Sequence, residues 1–336
     1  IFGLVVVMAP VLGPTVGGWI TDNWNWPWIF FINVPLGILT VILAFKLLED
    51  PPYARKQSNL KMDKTGFFLL TVFIVTLQIV LDKGNNQDWF NSPFIVRLAL
   101  LSVLSGLLFL ASQIYRKDTL VDLTVFFDKN YLFGTIIQVI TQGVMLASMA
   151  ILPMFLQGLL GYDAFLSGLS LLPRGCGAFV GTILSGILST RVDNKLLTSI
   201  GLFFMGIAGL MLGSLNMQIS YANIALPNFI YGFSMALAMI PIISMSVMTL
   251  RNDQMTNASG LQNLVKIIGG AIGTSTVSTL ISRYSQIHQA YMVENLTPLN
   301  PIFNAKMGAM QGAFMQFTNS GTATHMAQYM LLSLNS

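Results

Sequence analysis

The sequence is poor in charge and has almost no cysteine. Charged residues make up only 9% of its 336 residues, whereas 54% are hydrophobic. A water-soluble globule of this size could not cover its surface with so few polar groups, so the composition indicates a membrane protein. The single cysteine, Cys176, lies in an apolar stretch and has no intrachain partner. This excludes a disulfide framework and predicts a small buried side chain.

The sequence also lacks the residue patterns of catalysis. Its only histidines, His288 and His325, lie in the polar C-terminal stretch. No apolar segment carries a His-Glu pair or paired aspartates, and no glycine-rich loop precedes Lys-Ser or Lys-Thr. We therefore predict that the protein is not an enzyme and uses no metal and no cofactor. Its cations lie in short loops rather than along one basic face, so no nucleic-acid binding is expected.

Long apolar segments take up most of the chain. Nine can be distinguished, at residues 1–20, 27–45, 65–82, 94–115, 131–157, 164–190, 196–215, 223–249 and 256–282. At about 1.5 Å per residue, roughly twenty helical residues span the hydrocarbon core of a bilayer. Continuous apolar runs favour helices over the alternating strands of a membrane barrel. The predicted fold class is therefore an all-α polytopic membrane protein.

The lysines and arginines fall into alternate gaps between these segments. Four gaps contain five, three, two and one lysines or arginines, in the order 46–64, 116–130, 191–195 and 251–254. The gaps that alternate with these contain only Lys83. Because cytoplasmic loops carry the excess of cations, these four gaps are assigned to the cytosol. Residues 120–127 are predicted to form a short amphipathic piece on that inner surface. Since residues 1–20 carry no charge, the chain is expected to be a fragment that begins inside a transmembrane helix.

The first two segments carry a distinctive motif. The first contains Ala9, Gly13, Pro14, Gly17 and Gly18 in the order Ala-Pro-Val-Leu-Gly-Pro-Thr-Val-Gly-Gly. Gly13 and Gly17 are spaced to line one helix face, where another backbone can approach closely, while proline bends the segment. With Ala9 in place of its first glycine, this pattern resembles the antiporter signature of the major facilitator superfamily.

Further stretches extend this resemblance along the chain. Three stretches resemble the fourteen-helix drug:proton antiporters of that superfamily, in particular the EmrB-like multidrug exporters. They are residues 28–37, 77–84 and 88–90. The resemblance implies a major facilitator fold, of which this chain holds about nine helices. It divides the chain into the last two helices of an N-terminal bundle (1–48), a cytoplasmic linker (49–64), an extra two-helix insertion (65–118), a second linker (119–130), the first five helices of a C-terminal bundle (131–282) and an external, periplasmic loop (283–336).

The resemblance also implies a function and partners. Such proteins exchange amphipathic drugs for protons by alternating access in the bacterial inner membrane. EmrB-like exporters work with a membrane-fusion adaptor and an outer-membrane channel, so both are expected partners. The family carries an intramembrane aspartate in its first helix. That helix would precede Ile1, and the nine segments contain no Asp or Glu well inside the hydrocarbon.

One inner loop resembles a degenerate copy of the superfamily's loop motif. It comprises Gly186, Arg191, Asp193 and Lys195. The resemblance implies that this loop latches inner segments together, and a merely solvated basic loop is an equal alternative.

Two cations lie deep in the predicted spans. Arg174 and Lys266 are each about ten residues from a span end, roughly 15 Å and close to the midplane. An unpaired charge at that depth costs several kcal/mol, so we expect both to face a wet cavity. Structural pairing with backbone carbonyls is the alternative.

Two helix faces combine polar and methionine side chains. Gln138, Gln142, Met145 and Met149 share one side of the fifth segment; Asn228, Tyr231, Met235 and Met239 share one side of the eighth. Amides with adaptable thioethers suit a cavity for varied amphipathic substrates, although ordinary helix packing explains the pattern equally well.

The sequence therefore favours a secondary active exporter of amphipathic compounds. Export of an endogenous metabolite or siderophore, and a non-transporting membrane sensor, are the alternatives.

Overall fold

The computed structural model describes residues 2–47, 63–115, 121–216, 219–252, 254–294, 301–315, 321–322 and 325–326. Most of the predicted linker 49–64 and parts of the predicted loop 283–336 therefore lie outside the described residues, as does the side chain of Ala9. Within the described ranges the regular structure is helical throughout, which confirms the predicted fold class.

Twelve α-helices make up the described part of the chain. They are α1 (Phe2–Asn23), α2 (Trp28–Phe31), α3 (Asn33–Leu47), α4 (Lys64–Lys83), α5 (Pro93–Tyr115), α6 (Lys129–Gly158), α7 (Ala164–Leu169), α8 (Leu172–Leu188), α9 (Asn194–Gly213), α10 (Tyr221–Val247), α11 (Met255–Glu294) and α12 (Pro301–Phe314). A 3-10 helix at Leu123–Phe127 occupies the predicted amphipathic piece.

Eight helical segments in the described ranges are long and apolar enough to cross a membrane. They match the second to ninth segments predicted from the sequence, and α1 occupies the first. The second and sixth spans are each built from two consecutive helices, α2 with α3 and α7 with α8. In the sixth span the new helix begins just before Pro173, which lacks a backbone N–H and therefore suits a first helical turn.

Aspartates fix where several spans begin. In each case the side chain accepts a hydrogen bond from a backbone N–H of the first turn, which has no partner inside the helix. The caps are Asp63 for α4, Asp128 for α6, Asp163 for α7 and Asp193 for α9. Negative charge is also favourable at a helix N-terminus. The acidic residues at the ends of the apolar segments therefore set helix boundaries.

The last predicted span continues beyond its expected end. Residues 283–294 and 301–314, in the stretch assigned to an external loop, are helical and belong to α11 and α12. Between Ser282 and Glu294 there is no glycine or proline, so nothing in the local sequence ends the helix. At 40 residues α11 is roughly 60 Å long, about twice the thickness of a hydrocarbon core.

Small residues allow close packing among helices α6 to α11, which lie in the part of the chain assigned to the C-terminal bundle. A Cβ added to Gly177 would collide with the Phe229 carbonyl, so α8 and α10 are in backbone contact. A Cβ on Gly273 would likewise collide with the Gly143 backbone, where α11 crosses α6. Close approach through small residues is the common mode of helix packing in membranes. Gly177 and Gly273 are therefore packing contacts of α8 and α11.

The outer surfaces of this bundle are apolar and exposed, as expected of faces that contact lipid. Leu210, on α9, is 77% exposed. Cys176 is exposed as well, so the prediction that it is buried was wrong. Hydrophobicity alone does not place a residue in the core of a membrane protein, because lipid accepts it equally well.

Candidate functional site

The glycine-rich motif joins the first part of the chain to the C-terminal bundle. Helix α1 packs against α7 and α8. A Cβ on Gly18 would collide with the Ala164 carbonyl, and one on Gly168 would collide with the Pro14 carbonyl. The two backbones therefore touch at two points along this contact, and glycine is required on both helices.

Two hydrogen bonds fix this contact. Thr15 Oγ1 donates to the Gly168 carbonyl at 3.1 Å. The backbone N–H of Phe165 donates to Asp22 Oδ2 at 2.7 Å. Thr15 and Asp22 were not singled out from the sequence, because their partners are 153 and 143 residues away.

The other motif glycines are not packed in the same way. Neither Gly13 nor Gly17 has an atom within 4 Å of an added Cβ in the described structure. The prediction that Gly13 and Gly17 line a close helix contact therefore has no counterpart among the described residues. The role of the five motif residues in antiport stays a prediction.

Arg174 lies inside the C-terminal bundle, where it joins three helices. Its Nε donates to Asn228 Oδ1 on α10 at 3.0 Å, and its Nη1 donates to Ser148 Oγ on α6 at 3.0 Å. The guanidinium carbon lies 4.4 Å from the centroid of the Tyr231 ring, within the range of a cation–π contact. Arg174 itself is only 7% exposed. Side chains, and not the backbone carbonyls considered above, thus hold this cation.

This centre is incompletely satisfied. Arg174 Nη2 and the Tyr231 hydroxyl are both buried without a hydrogen-bond partner among the described residues. Asn228 is fixed in turn, because its Nδ2 donates to the Ile224 carbonyl at 3.0 Å. A buried donor without a partner costs about 1–3 kcal/mol. Of the residues here, Ser148 was missed by sequence reasoning, since a serine in an apolar helix carries no distinguishing signal.

A second buried polar cluster lies between α6, α10 and α11. Ser246 Oγ accepts hydrogen bonds from Gln262 Nε2 at 2.8 Å and from Gln138 Nε2 at 3.4 Å. Gln262 also donates to Thr135 Oγ1 at 3.4 Å. Gln138 is wholly buried, so in this conformation it joins helices. Ser246 and Gln262 were not predicted.

The remaining predicted cavity residues differ in their surroundings. Met235 packs against the cluster of Met205, Ala208 and Tyr231, and thus contributes to the contact between α9 and α10. Four others are half-buried: Gln142, Met145, Met149 and Met239. Whether they contact substrate stays a prediction.

Lys266 is half-buried on α11, one helical turn beyond Gln262. Its predicted exposure to a wet cavity remains a prediction.

The predicted inner-loop motif has a local structural role. Asp193 caps α9 by accepting a hydrogen bond from the Lys195 N–H at 2.9 Å. Gly186, Arg191 and Lys195 are exposed. Of the two alternatives, the latch between inner segments stays a prediction, and the exposed cations fit a solvated loop.

A different set of contacts joins inner segments. Gln254 Nε2 donates to Asp122 Oδ2 at 3.2 Å, and Asn257 Nδ2 donates to the Asp122 carbonyl at 2.9 Å. The Tyr131 hydroxyl donates to the Ala258 carbonyl at 2.9 Å. The linker before α6 is therefore tied to the start of α11.

We expect these contacts to weaken in acid. The Thr124 hydroxyl bound to the Asp122 carboxylate, with help from Gln254 and Arg251, lowers the pKa of Asp122. A lowered pKa stabilises the folded state above the ordinary aspartate pKa of about 4, and this contribution is lost as pH falls through the lowered value. Because the group is largely solvated, the effect should stay below about 1 kcal/mol. Thermal unfolding of wild type and Asp122→Asn between pH 6 and acid should show a steeper loss for wild type; parallel curves would contradict this.

Comparison with known proteins identifies relatives along most of the chain. A family model described as the Major Facilitator Superfamily matches residues 1–274. The chain is 30% identical over 330 residues to the probable multidrug resistance protein EmrY of Escherichia coli K12, covering 96% of this chain and 64% of that protein.

Two further relatives are similarly distant. The fatty acid resistance protein FarB of Neisseria gonorrhoeae is 31% identical over 298 residues, covering 89% of this chain and 58% of FarB. The multidrug export protein EmrB of Escherichia coli K12 is 28% identical over 316 residues, covering 94% of this chain and 61% of EmrB. The chain thus spans less than two thirds of the length of these relatives.

Proposed function

The chain belongs to the Major Facilitator Superfamily, and from this premise we propose that the complete protein exports amphipathic compounds in exchange for protons by alternating access. The family resemblance derived from the first two segments is thereby confirmed. Relatives named for multidrug export and multidrug resistance support the proposed activity.

The observation that carries the proposal is the contact between α1 and α7–α8. It connects the part of the chain assigned to the N-terminal bundle with the C-terminal bundle through glycines and backbone carbonyls. In transporters of this kind the two bundles rock against one another around a central site. A contact made largely between backbones can serve as the pivot, because it keeps the two helices close while their angle changes.

The polar centre of the C-terminal bundle is the proposed source of substrate contacts. Arg174 and the half-buried faces of α6 and α10 supply hydrogen-bond donors and thioethers, and Tyr231 supplies an aromatic ring. Such a mixture suits ligands with one polar group and a large apolar body. FarB, a relative named for fatty acid resistance, is consistent with ligands of that shape.

Proton coupling usually uses a carboxylate, and the nine apolar segments contain no Asp or Glu well inside the hydrocarbon. We propose that the coupling carboxylate belongs to the part of the relatives' length that the chain does not cover. The multi-pass architecture is a property of this chain. The bacterial inner membrane, a membrane-fusion adaptor and an outer-membrane channel belong to the proposal, with the region from Arg283 onward as the adaptor contact.

The complete protein in proteoliposomes tests this function. An imposed proton gradient should drive saturable accumulation of an amphipathic dye, and saturating dye should drive counter-movement of protons. Collapse of the gradient by an ionophore should abolish both. Flux that does not saturate would indicate a pore, and saturable flux that ignores the gradient would exclude proton exchange.

A further inference from the structure

A cavity of about 290 Å³ lies between the inserted helix α4 and the C-terminal helices α6 and α11. All three helices contribute residues near the ends that the charge pattern assigns to the outside. The cavity therefore lies at the outer boundary of the membrane. It is separate from the Arg174 centre, which α6, α8 and α10 enclose.

Two hydrogen bonds hold α4 and the turn that follows it to α11 beside this cavity. Ser275 Oγ donates to the Leu81 carbonyl at 2.8 Å, and Asn85 Nδ2 donates to Ser282 Oγ at 2.9 Å. Ser275, the deeper of the two, is buried. The inserted helix is thus fixed to the C-terminal bundle while a space remains between them. Its volume is close to the lower limit for small-molecule sites, which is roughly 300 Å³.

The two sides of the cavity differ in chemistry. Residues from α4, the following turn and α11 are largely polar and include Asp82, Asn85 and Ser278. Residues from α6 are apolar and include Ala150, Ile151 and Met154. Asp82 is the charged member of the lining, and Gln78 Nε2 donates to its Oδ1 at 3.2 Å. The space therefore presents one carboxylate beside an apolar wall.

We propose that this cavity binds amphiphiles with a cationic head group. The ammonium group lies against Asp82 and the polar side, and the first carbons of the apolar chain pack against Ile151 and Met154. A carboxylate at the membrane boundary attracts a cation more strongly than one in bulk water, because the surroundings are less polarisable. The adaptable thioether of Met154 suits chains of differing shape. The inserted helix pair thereby gains a ligand site that shares no lining residue with the Arg174 centre.

Two sources could supply such a head group. One is a free cationic amphiphile arriving from outside, and the other is the ammonium group of a phosphatidylethanolamine lipid already in the membrane. Both present an ammonium group to Asp82.

Binding of octyltrimethylammonium tests the charge requirement. The complete protein in phosphatidylglycerol nanodiscs is titrated calorimetrically, and the signal of empty nanodiscs is subtracted. Asp82→Asn is expected to weaken binding about tenfold or more. Asp88→Asn, which removes a carboxylate from the neighbouring turn outside this lining, is expected to leave the dissociation constant unchanged. Equal affinity of wild type and Asp82→Asn would overturn the proposal.

A steric variant tests the location. Ser278→Phe fills the cavity from α11 and should abolish binding, whereas Thr276→Phe, at an exposed position on the same helix outside the lining, should not. If Ser278→Phe does not fold, Ala150→Phe fills the same space from α6. Retention of wild-type affinity by a folded cavity-filling variant would place the ligand elsewhere.

Adding phosphatidylethanolamine to the nanodiscs separates the two sources. If phosphatidylethanolamine weakens octyltrimethylammonium binding in wild type but not in Asp82→Asn, a lipid head group occupies the site. If phosphatidylethanolamine leaves the affinity of wild type for octyltrimethylammonium unchanged and that affinity still depends on Asp82, the ligand is a free amphiphile. Both results retain the cation site, while competition that persists in Asp82→Asn would overturn it. These experiments measure binding and not transport. Their results therefore remain interpretable even if the proteoliposome assay shows no proton exchange.

Discussion

Replacing Gly18 with alanine in the complete protein is expected to reduce proton-driven efflux by about tenfold or more, because overpacking of this kind costs roughly 1–3 kcal/mol. The added methyl group would collide with the Ala164 carbonyl and would lie 3.0 Å from the Phe165 Cα. Both are backbone atoms at the start of α7, so no side chain can rotate out of the way. The helices would have to separate where we propose that the bundles pivot. Efflux from everted membrane vesicles, normalised to the amount of protein, measures this effect.

Gly17→Ala provides the matched control. It adds the same methyl group to the neighbouring residue of the same motif, where nothing described lies within 4 Å. We expect efflux within about twofold of wild type, as for a surface substitution. Both glycines belong to the motif, but only Gly18 makes a close backbone contact in the described structure. Equal losses in both variants would contradict the assignment of Gly18 to this contact.

The spans were predictable because the bilayer sets a simple rule. A segment must be apolar over about 30 Å, and few other patterns satisfy this. The division between α9 and α10 followed from the polar residues around 216–223, and the structure ends and restarts the helices at Gly213 and Tyr221. The continuation of α11 to Glu294 was not predictable by the same rule, because hydropathy reports where lipid ends and not where a helix ends.

The composition of the polar centre could be predicted only in part. The depth of Arg174 follows from counting residues along its span. Its partners do not, because Ser148 and Asn228 are 26 and 54 residues away and many polar residues occupy comparable depths. Periodicity grouped Asn228 with Tyr231, and both contact Arg174. It also grouped Met235 with them, and that side chain packs towards α9, because one helix face is wide enough to contact two neighbours.

The glycine contacts could also be predicted only in part from the sequence. Spacing identifies pairs that can line a face, but it does not say which faces meet. Gly177 and Gly273 make close backbone contacts, whereas Gly209 and Gly213 have nothing within 4 Å of an added Cβ in the described structure. The difference depends on which helices are neighbours, and that is decided by packing of the whole bundle.

Arg174→Met is expected to abolish most transport while leaving the protein folded. The substitution keeps much of the side-chain volume and removes a buried cation, whose desolvation costs several kcal/mol. Against this, Asn228 and Ser148 each lose a hydrogen bond of about 1.5–3 kcal/mol. The two effects offset, so the melting temperature should change by only a few degrees. Transport should nevertheless fall by about tenfold or more, because Arg174, a proposed source of hydrogen-bond donors to substrate, is gone.

Two further variants separate charge from geometry. Arg174→Lys keeps the cation but loses the planar fork that reaches Asn228 and Ser148 together, so it should restore little transport. Arg97→Met removes an exposed arginine from α5 and should leave both transport and melting temperature unchanged. If Arg174→Met lowers stability and transport in proportion, Arg174 is a structural tie between α6, α8 and α10. If Arg174→Lys transports like wild type, a cation at this depth is sufficient and the fork geometry is not required.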